Sequence, residues 1–194
     1  MNICVFSGSS ASTPPDLMVM AEQIGTMIAT RGFGMVYGGG STGMMGASAR
    51  GAVSHGGRVH GIIPRFLQNL EVANHDISQL TITENMHQRK QMMYTESDAF
   101  IVLPGGFGTM EEMLEVLTWC QLKVINKPIY LFNPNGFWND MLAMFQHAAQ
   151  HGFIRANHIT LVHHLDTVDD VADVLDKLLK EWKATGKVDH IHKL

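Results

Sequence analysis

Ala99-Phe100-Ile101-Val102-Leu103 is apolar at every position and runs directly into Pro104-Gly105-Gly106-Phe107-Gly108-Thr109, after which helical spacing takes over from Met110 to about Leu122. A strand without polar alternation is apolar on both faces and belongs to a sheet covered on both sides by helices. The same strand–turn–helix unit recurs on either side of it. Asn2–Phe6 reads as a strand, Ser7–Asp16 as a loop rich in Ser and Pro, and Leu17–Thr30 as a helix ended by Gly32. Gly34–Tyr37 and Arg58–Ile63 read as strands flanking a helix over Met44–His55. Further on, Gln79–Thr83 is a strand, Met86–Ser97 a polar helix, Pro128–Phe132 a strand and Trp138–His151 a helix. His158–Val162 reads as a last strand and Thr167–Lys183 as a closing amphipathic helix. Strands alternating with helices in this way predict an α/β fold, a doubly wound parallel sheet with helices on both faces.

The chain has 194 residues, 45% of them hydrophobic and only 16% charged. That length fits a single domain spanning residues 1–194, with residues 185–194, including His190 and His192, as a loose polar tail. The light charge suggests that part of the surface is covered in an oligomer. Lys and Arg number 14 against 18 Asp and Glu, a formal net charge of −4, which gives no general attraction for nucleic acid or an anionic membrane. Cys4 and Cys120 make neither a disulfide framework nor a metal-binding spacing. The N-terminal residues lack a basic leader, and no run approaches a membrane span, so the chain reads as cytoplasmic.

In a parallel sheet the strand-to-helix turns share the carboxyl edge, and ligands bind there where strand order reverses. Three unusual turns fall on that edge: Ser7-Gly8-Ser9-Ser10, Gly38-Gly39-Gly40-Ser41-Thr42-Gly43 and Pro104–Thr109. Glycines let backbone N–H groups approach a ligand, and a helix N-terminus adds positive partial charge. Gly8, Ser9, Gly39, Gly40, Ser41 and Gly43 are therefore candidates for a phosphate cradle; tight turns alone would also use such glycines. Gly38-x-Gly40-x-x-Gly43 copies the dinucleotide fingerprint, but it follows the second strand and no acid stands about 20 residues on. No Gly-Lys-Ser/Thr closes either glycine-rich loop, so neither a nicotinamide dehydrogenase nor a P-loop NTPase is favoured. A mononucleotide or sugar phosphate fits better.

Arg89 and Lys90 sit in the first turn of a helix, where cations oppose the helix dipole unless an anion is near. Glu111, Glu112 and Glu115 open the next helix. Thr109-x-x-Glu112 satisfies a capping box. On the same sheet edge, Glu112 and Arg89 also form a carboxylate–guanidinium pair suited to a phosphate-bearing ligand. His147 and His151 have i,i+4 spacing but no third ligand, so a metal site is not expected.

Pro104-Gly105-Gly106-Phe107-Gly108-Thr109-Met110-Glu111-Glu112 resembles the PGGxGTxxE motif of the LOG family, the cytokinin riboside 5′-monophosphate phosphoribohydrolases, whose members are often labelled lysine decarboxylases. Ser7–Ser10, Tyr37–Gly46, Gly61-Ile62-Ile63-Pro64 and Met86-His87-Gln88-Arg89-Lys90 extend the resemblance over nearly the whole chain, from Asn2 to about Ile154. It implies a Rossmann-like fold, a homodimer with active sites near the interface, and hydrolysis of an N-glycosidic bond without a cofactor. By motif position Arg89 and Glu112 match the family's catalytic pair. Glu71, Lys90, Gly105, Gly106, Phe107, Gly108, Thr109, Met110, Glu111 and Thr118 match positions that bind a nucleoside 5′-monophosphate. Ser7 stands where Cys is common, and Lys123 and Ile125 stand where many members have Gly and His, at a dimer contact. Two alternatives stay open: a general AMP nucleosidase, and a carrier that binds a nucleotide or cofactor without catalysis. Lysine decarboxylation would need pyridoxal phosphate on a lysine, and the only one near the glycine loops is Lys90, beside Arg89.

Overall fold

The computed structural model describes residues 1–68 and 70–186; the predicted tail from 187 onward lies outside them. The first strand–helix unit sets the pattern. Strand β1 (Asn2–Phe6) is buried along almost its whole length, and helix α1 (Pro15–Thr30) starts with proline in its first turn and ends at Gly32, whose φ of +78° suits glycine alone. There follow β2 (Gly34–Tyr37), α2 (Gly43–Ser54), β3 (Val59–Pro64), β4 (Gln79–Thr83), α3 (Met86–Glu96), β5 (Ala99–Val102) and α4 (Phe107–Gln121). The chain closes with β6 (Ile129–Phe132), α5 (Asn139–Gln150), the short α6 (Ala156–Ile159), β7 (Val162–Leu165) and α7 (Val168–Thr185). Single 3₁₀ turns cover Arg65–Leu67 and Pro134–Gly136.

The strands form one seven-stranded sheet in the order β4-β3-β2-β1-β5-β6-β7, and every neighbouring pair is parallel. This is the doubly wound α/β, Rossmann-like arrangement that the apolar strands predict. The chain builds outward from β1 to β4, then crosses to the other side of β1 to lay down β5. The reversal of strand order therefore lies between β1 and β5.

Alternate residues of the central strands feed two cores. Ile3, Val5, Met35 and Ile101 face α1, α2 and α7, whereas Cys4, Phe6, Phe100 and Val102 face α3, α4 and α5. Helix α2 is buried on most of its surface because α1 approaches it through two glycines. A Cβ on Gly25 would fall 1.9 Å from the Ser48 carbonyl oxygen, and one on Gly51 would fall 2.0 Å from that of Glu22. Both obstacles are backbone, so no side-chain rotation relieves them. Gly51→Ala is expected to force the helices apart and destabilise the fold by about 1–3 kcal/mol or more. A lowered urea midpoint at unchanged slope would show this, and an unchanged midpoint would mean the contact yields freely.

Most boundaries fall within two residues of the sequence expectation, and two elements are displaced by three or more. Residues 158–162 do not form a strand: Ala156–Ile159 is a turn of helix, and the last strand runs from Val162 to Leu165. His163 lies in that strand with its ring against Tyr130 on β6, centroids 5.4 Å apart. Helix α4 begins at Phe107 rather than Met110. The capping box appears instead in α7, where the Thr167 hydroxyl accepts from the Asp170 N–H at 3.1 Å and the Asp170 carboxylate accepts from the Thr167 N–H at 2.8 Å. Among the described residues no helix is long and apolar enough to cross a membrane.

Candidate active site

The β1–β5 reversal point carries a cleft of about 350 Å³. The turn after β1 supplies Ser7, Gly8, Ser9 and Ser10 to its wall; the turn after β5 and the first turn of α4 supply Gly106, Phe107, Gly108 and Thr109. Main-chain bonds tie these turns together. The Gly8 N–H donates to the Pro104 carbonyl at 3.0 Å, the Met45 N–H to the Gly8 carbonyl at 3.1 Å, and the Thr42 hydroxyl to the Ser9 carbonyl at 2.7 Å. Gly43 (φ +60°) and Gly105 are needed for this approach: a Cβ on the first would meet Ser9 carbonyl carbon at 2.5 Å, and on the second Thr109 Oγ1 at 2.1 Å.

Gly106 is the N-cap of α4, and the first amide to find an intrahelical acceptor is that of Met110, on the Gly106 carbonyl at 3.0 Å. The amides of residues 107–109 are those a helix start leaves without such a partner, and here they open on the cleft with the positive end of the helix dipole behind them. Starting the helix at Phe107 also puts Thr109 at the third helical position, so the expected Thr109–Glu112 capping box does not form. The Glu112 side chain points into the protein instead.

There it meets Arg89. Both are deeply buried, at 5% and 3% exposure, and Arg89 Nη2 lies 3.3 Å from Glu112 Oε1. Asn85 caps α3 by accepting the Gln88 N–H at 2.9 Å, which fixes the turn from which Arg89 projects. Arg89 Nη1 lies 3.8 Å from Glu71 Oε2 and 3.9 Å from the Met86 sulfur. Burial pushes the Glu112 carboxyl up to about 7; the Arg89 guanidinium pulls the other way, and the Glu71 and Glu111 carboxylates add to the rise. Burial likewise raises the Glu71 carboxyl, against the pull of Arg89. Ser7 Oγ, Glu71 Oε2 and Arg89 Nε are buried without a hydrogen-bond partner among the described residues. Three such atoms around one cleft mark where a polar ligand would bind.

The other expected site residues separate into groups. Gly8, Ser9, Glu71, Arg89, Gly106, Phe107, Gly108, Thr109 and Glu112 come together at the cleft, with the Phe107 ring 91% exposed at its lip. Gly39, Gly40, Ser41 and Gly43 are not among the lining residues. The Gly39 carbonyl accepts the Asn74 N–H at 2.9 Å, the Ser41 N–H donates to the Val72 carbonyl at 3.0 Å, and Gly40 bridges to Ala73. This turn thus anchors the segment that carries Glu71. Gly105 packs beneath Thr109, and Met110 against the α3–α5 core.

Lys90 turns away from the cleft and bonds Glu111 and Glu115, the latter at 3.0 Å, while the Tyr94 hydroxyl also donates to Glu115. Burial alone would lower the Lys90 ammonium, but the two carboxylates more than offset it and the group is raised. Thr118 lines a separate apolar hollow of about 240 Å³ with Leu114, Leu117 and Phe145. Ser7 and Ser10, read only as part of the first turn, line the cleft too, and Met45, Leu67 and Met86 line it without having been expected there. Gly38, quoted only as part of a glycine run, makes room for Arg89: a Cβ on it would fall 2.2 Å from Nη2.

A family model described as possible lysine decarboxylase matches residues 45–175. A cytokinin riboside 5′-monophosphate phosphoribohydrolase of Arabidopsis thaliana is 46% identical over 153 residues, 78% of this chain and 70% of that protein. A second from the same plant is 43% identical over 159 residues, 81% of this chain and 75% of that protein. A probable enzyme of the same name from Oryza sativa subsp. japonica is 44% identical over 155 residues, 80% of this chain and 70% of that protein. Among solved structures, the molybdenum cofactor carrier protein of Chlamydomonas reinhardtii superposes with a TM-score of 0.70 at 24% identity, over 92% of this chain and 97% of that one; this likeness concerns the fold alone. By the extent of the family match and the identity to these plant proteins, the chain belongs to the LOG family.

Proposed function

We propose that the protein hydrolyses the N-glycosidic bond of adenosine 5′-monophosphates that carry an N6-prenyl group, releasing the free base and ribose 5-phosphate. The observation that carries this reading is the buried Arg89–Glu112 pair beside the open N-terminus of α4, at the reversal of strand order. The amides of residues 107–109 take the phosphate, and Ser9 and Gly8 form the facing wall. Breaking the C1′–N9 bond builds positive charge on the ribose, which a fixed carboxylate stabilises. Glu112 supplies it and accepts a proton from the water whose oxygen ends on C1′. A group that titrates near 7 suits a base working at neutral pH. Arg89 holds the Glu112 carboxylate in place with a charge-assisted contact.

The description of the family model would instead imply pyridoxal phosphate on a lysine. No lysine is among the residues lining the cleft. Lys90 is engaged by Glu111 and Glu115, and Lys127 donates to the Tyr94 carbonyl at 2.6 Å. The residues present do not fit that group.

The working unit of this reading is a homodimer. Supporting it is the outer side of α4, where the exposed Leu114 lines the apolar hollow at Thr118, together with the exposure of Leu122, Val124, Met144 and Phe153. Lys90, Glu111 and Thr118 match substrate positions yet lie on that side, which accords with active sites near an interface. A net charge of −4 supports a small-molecule partner over nucleic acid, and two buried free thiols support a reducing, cytoplasmic setting.

Chromatography of the products tests the activity. Purified protein incubated with isopentenyladenosine monophosphate should release the base much faster than from AMP. Comparable rates on both would make it a general AMP nucleosidase. Nucleotide retained without release of base would make it a carrier.

A further inference from the structure

Ser7 is the first residue after β1 and lies at the floor of the cleft. It is 3% exposed, as deep as Arg89 at 3% and Glu112 at 5%. Its neighbours in the same turn rise toward solvent: Gly8 and Ser9 are half-buried and Ser10 is exposed. Ser7 Oγ has no hydrogen-bond partner among the described residues. A buried hydroxyl without a partner is unfavourable unless something else completes it. Packing alone does not call for a hydroxyl here, because alanine or cysteine would fill a similar space without leaving an oxygen unsatisfied.

Depth and chemistry together identify what completes it. The cleft has an anion-binding end, the open amides of residues 107–109, and a floor that carries the Glu112 carboxylate, the guanidinium and the Ser7 hydroxyl. For Glu112 to act on C1′, the sugar ring must reach that floor. The phosphate and the base, attached at opposite ends of the ribose, extend away from it. A sugar hydroxyl that donates its proton to a carboxylate still has lone pairs to accept one.

We propose that Ser7 is a specificity-determining residue whose O–H donates to a hydroxyl of the ribose, so that the site reads ribo- against deoxyribonucleotides. This rests on the nucleotide-hydrolase reading above. A site that hydrogen-bonds a substrate hydroxyl discriminates against the analogue that lacks it, because the protein group is then left unpaired.

The test measures kcat/KM, and separately Kd by titration calorimetry, for the prenylated ribonucleotide and its 2′-deoxy and 3′-deoxy analogues. Wild type, Ser7→Ala and Ser7→Cys are compared. Ser7→Ala should lose roughly 10- to 100-fold on the ribonucleotide. On the analogue that lacks the contacted hydroxyl it should match wild type. Ser7→Cys should fall between, because a thiol is a weak donor. Equal loss on all three substrates, or no loss on any, would overturn the proposal. If wild type binds the nucleotide but releases no base, the hydrolase reading fails. The ratio of Kd values between ribo and deoxy ligands then still decides Ser7.

Discussion

Glu112→Gln is expected to lower turnover roughly 10³- to 10⁴-fold while the folded chain still binds nucleotide. The amide keeps the shape of the carboxyl and can face Arg89, but it cannot hold negative charge against the ribose or take a proton from water. Near-normal base release by this variant would falsify the assignment of Glu112. In wild type the carboxylate form is the active one, so kcat/KM should rise with pH through about 7 and level off above it. The same group leaves a mark on stability. Below about pH 4.5 it is protonated in both the folded and the unfolded chain. Between there and about 7 the unfolded chain gives up the proton while the folded chain keeps it, so stability falls as pH rises. Glutamine does not titrate. From pH 5 to pH 8 the stability difference should therefore move in favour of Glu112→Gln by about 2–3 kcal/mol. Parallel urea melts at the two pH values measure it; a constant difference would mean that Glu112 ionises as freely as a surface acid.

Gly38→Ala should abolish most activity by displacing Arg89, although Gly38 itself is not among the residues that line the cleft. The added methyl falls on Arg89 Nη2, whose partner at 3.3 Å is Glu112 Oε1. Because Gly38 does not have positive φ, alanine fits the backbone there, and the guanidinium is what has to move. Displacing a positioning group by about 1 Å in a preorganised site removes roughly 10²-fold of the rate. Circular dichroism should match wild type. Turnover within threefold of wild type would show that Arg89 has a second productive position.

How much of this could be read in advance follows from the range of the contacts involved. The limits of β1 and β2 emerge from short apolar runs bounded by turns, because in a buried parallel strand the local sequence and the tertiary environment ask for the same residues. The last strand does not. Val162-His163-His164-Leu165 carries two imidazoles, and only its pairing with β6 at the edge of the sheet makes it a strand, while the more apolar stretch before it closes into a helical turn. Arg89 and Glu112 stand out because both are charged residues near helix starts on the ligand-binding edge. The capping box read at Thr109 fails for a local reason: the helix starts three residues earlier, on Gly106. Ser7 and Gly38 lie in turns that the sequence marks, but nothing local reveals the part either plays. One matters through an unfilled hydrogen bond, the other through a side chain more than fifty positions away.

The segment between β3 and β4 has a consequence for how such a site diversifies. Glu71 and Leu67 reach the cleft on a strap attached to the glycine turn at residues 39–41 by main-chain atoms: Ser41 N–H to Val72 C=O, Asn74 N–H to Gly39 C=O, and the Gly40–Ala73 bridge. Backbone fastenings do not depend on which side chains the strap displays. Phe66 and Leu70 are exposed along it, so their identities are constrained neither by a core nor by the fastening. The wall that the strap contributes is therefore an exchangeable part on an invariant chassis. New substrate preferences are open to mutation there without altering the sheet or the Arg89–Glu112 pair.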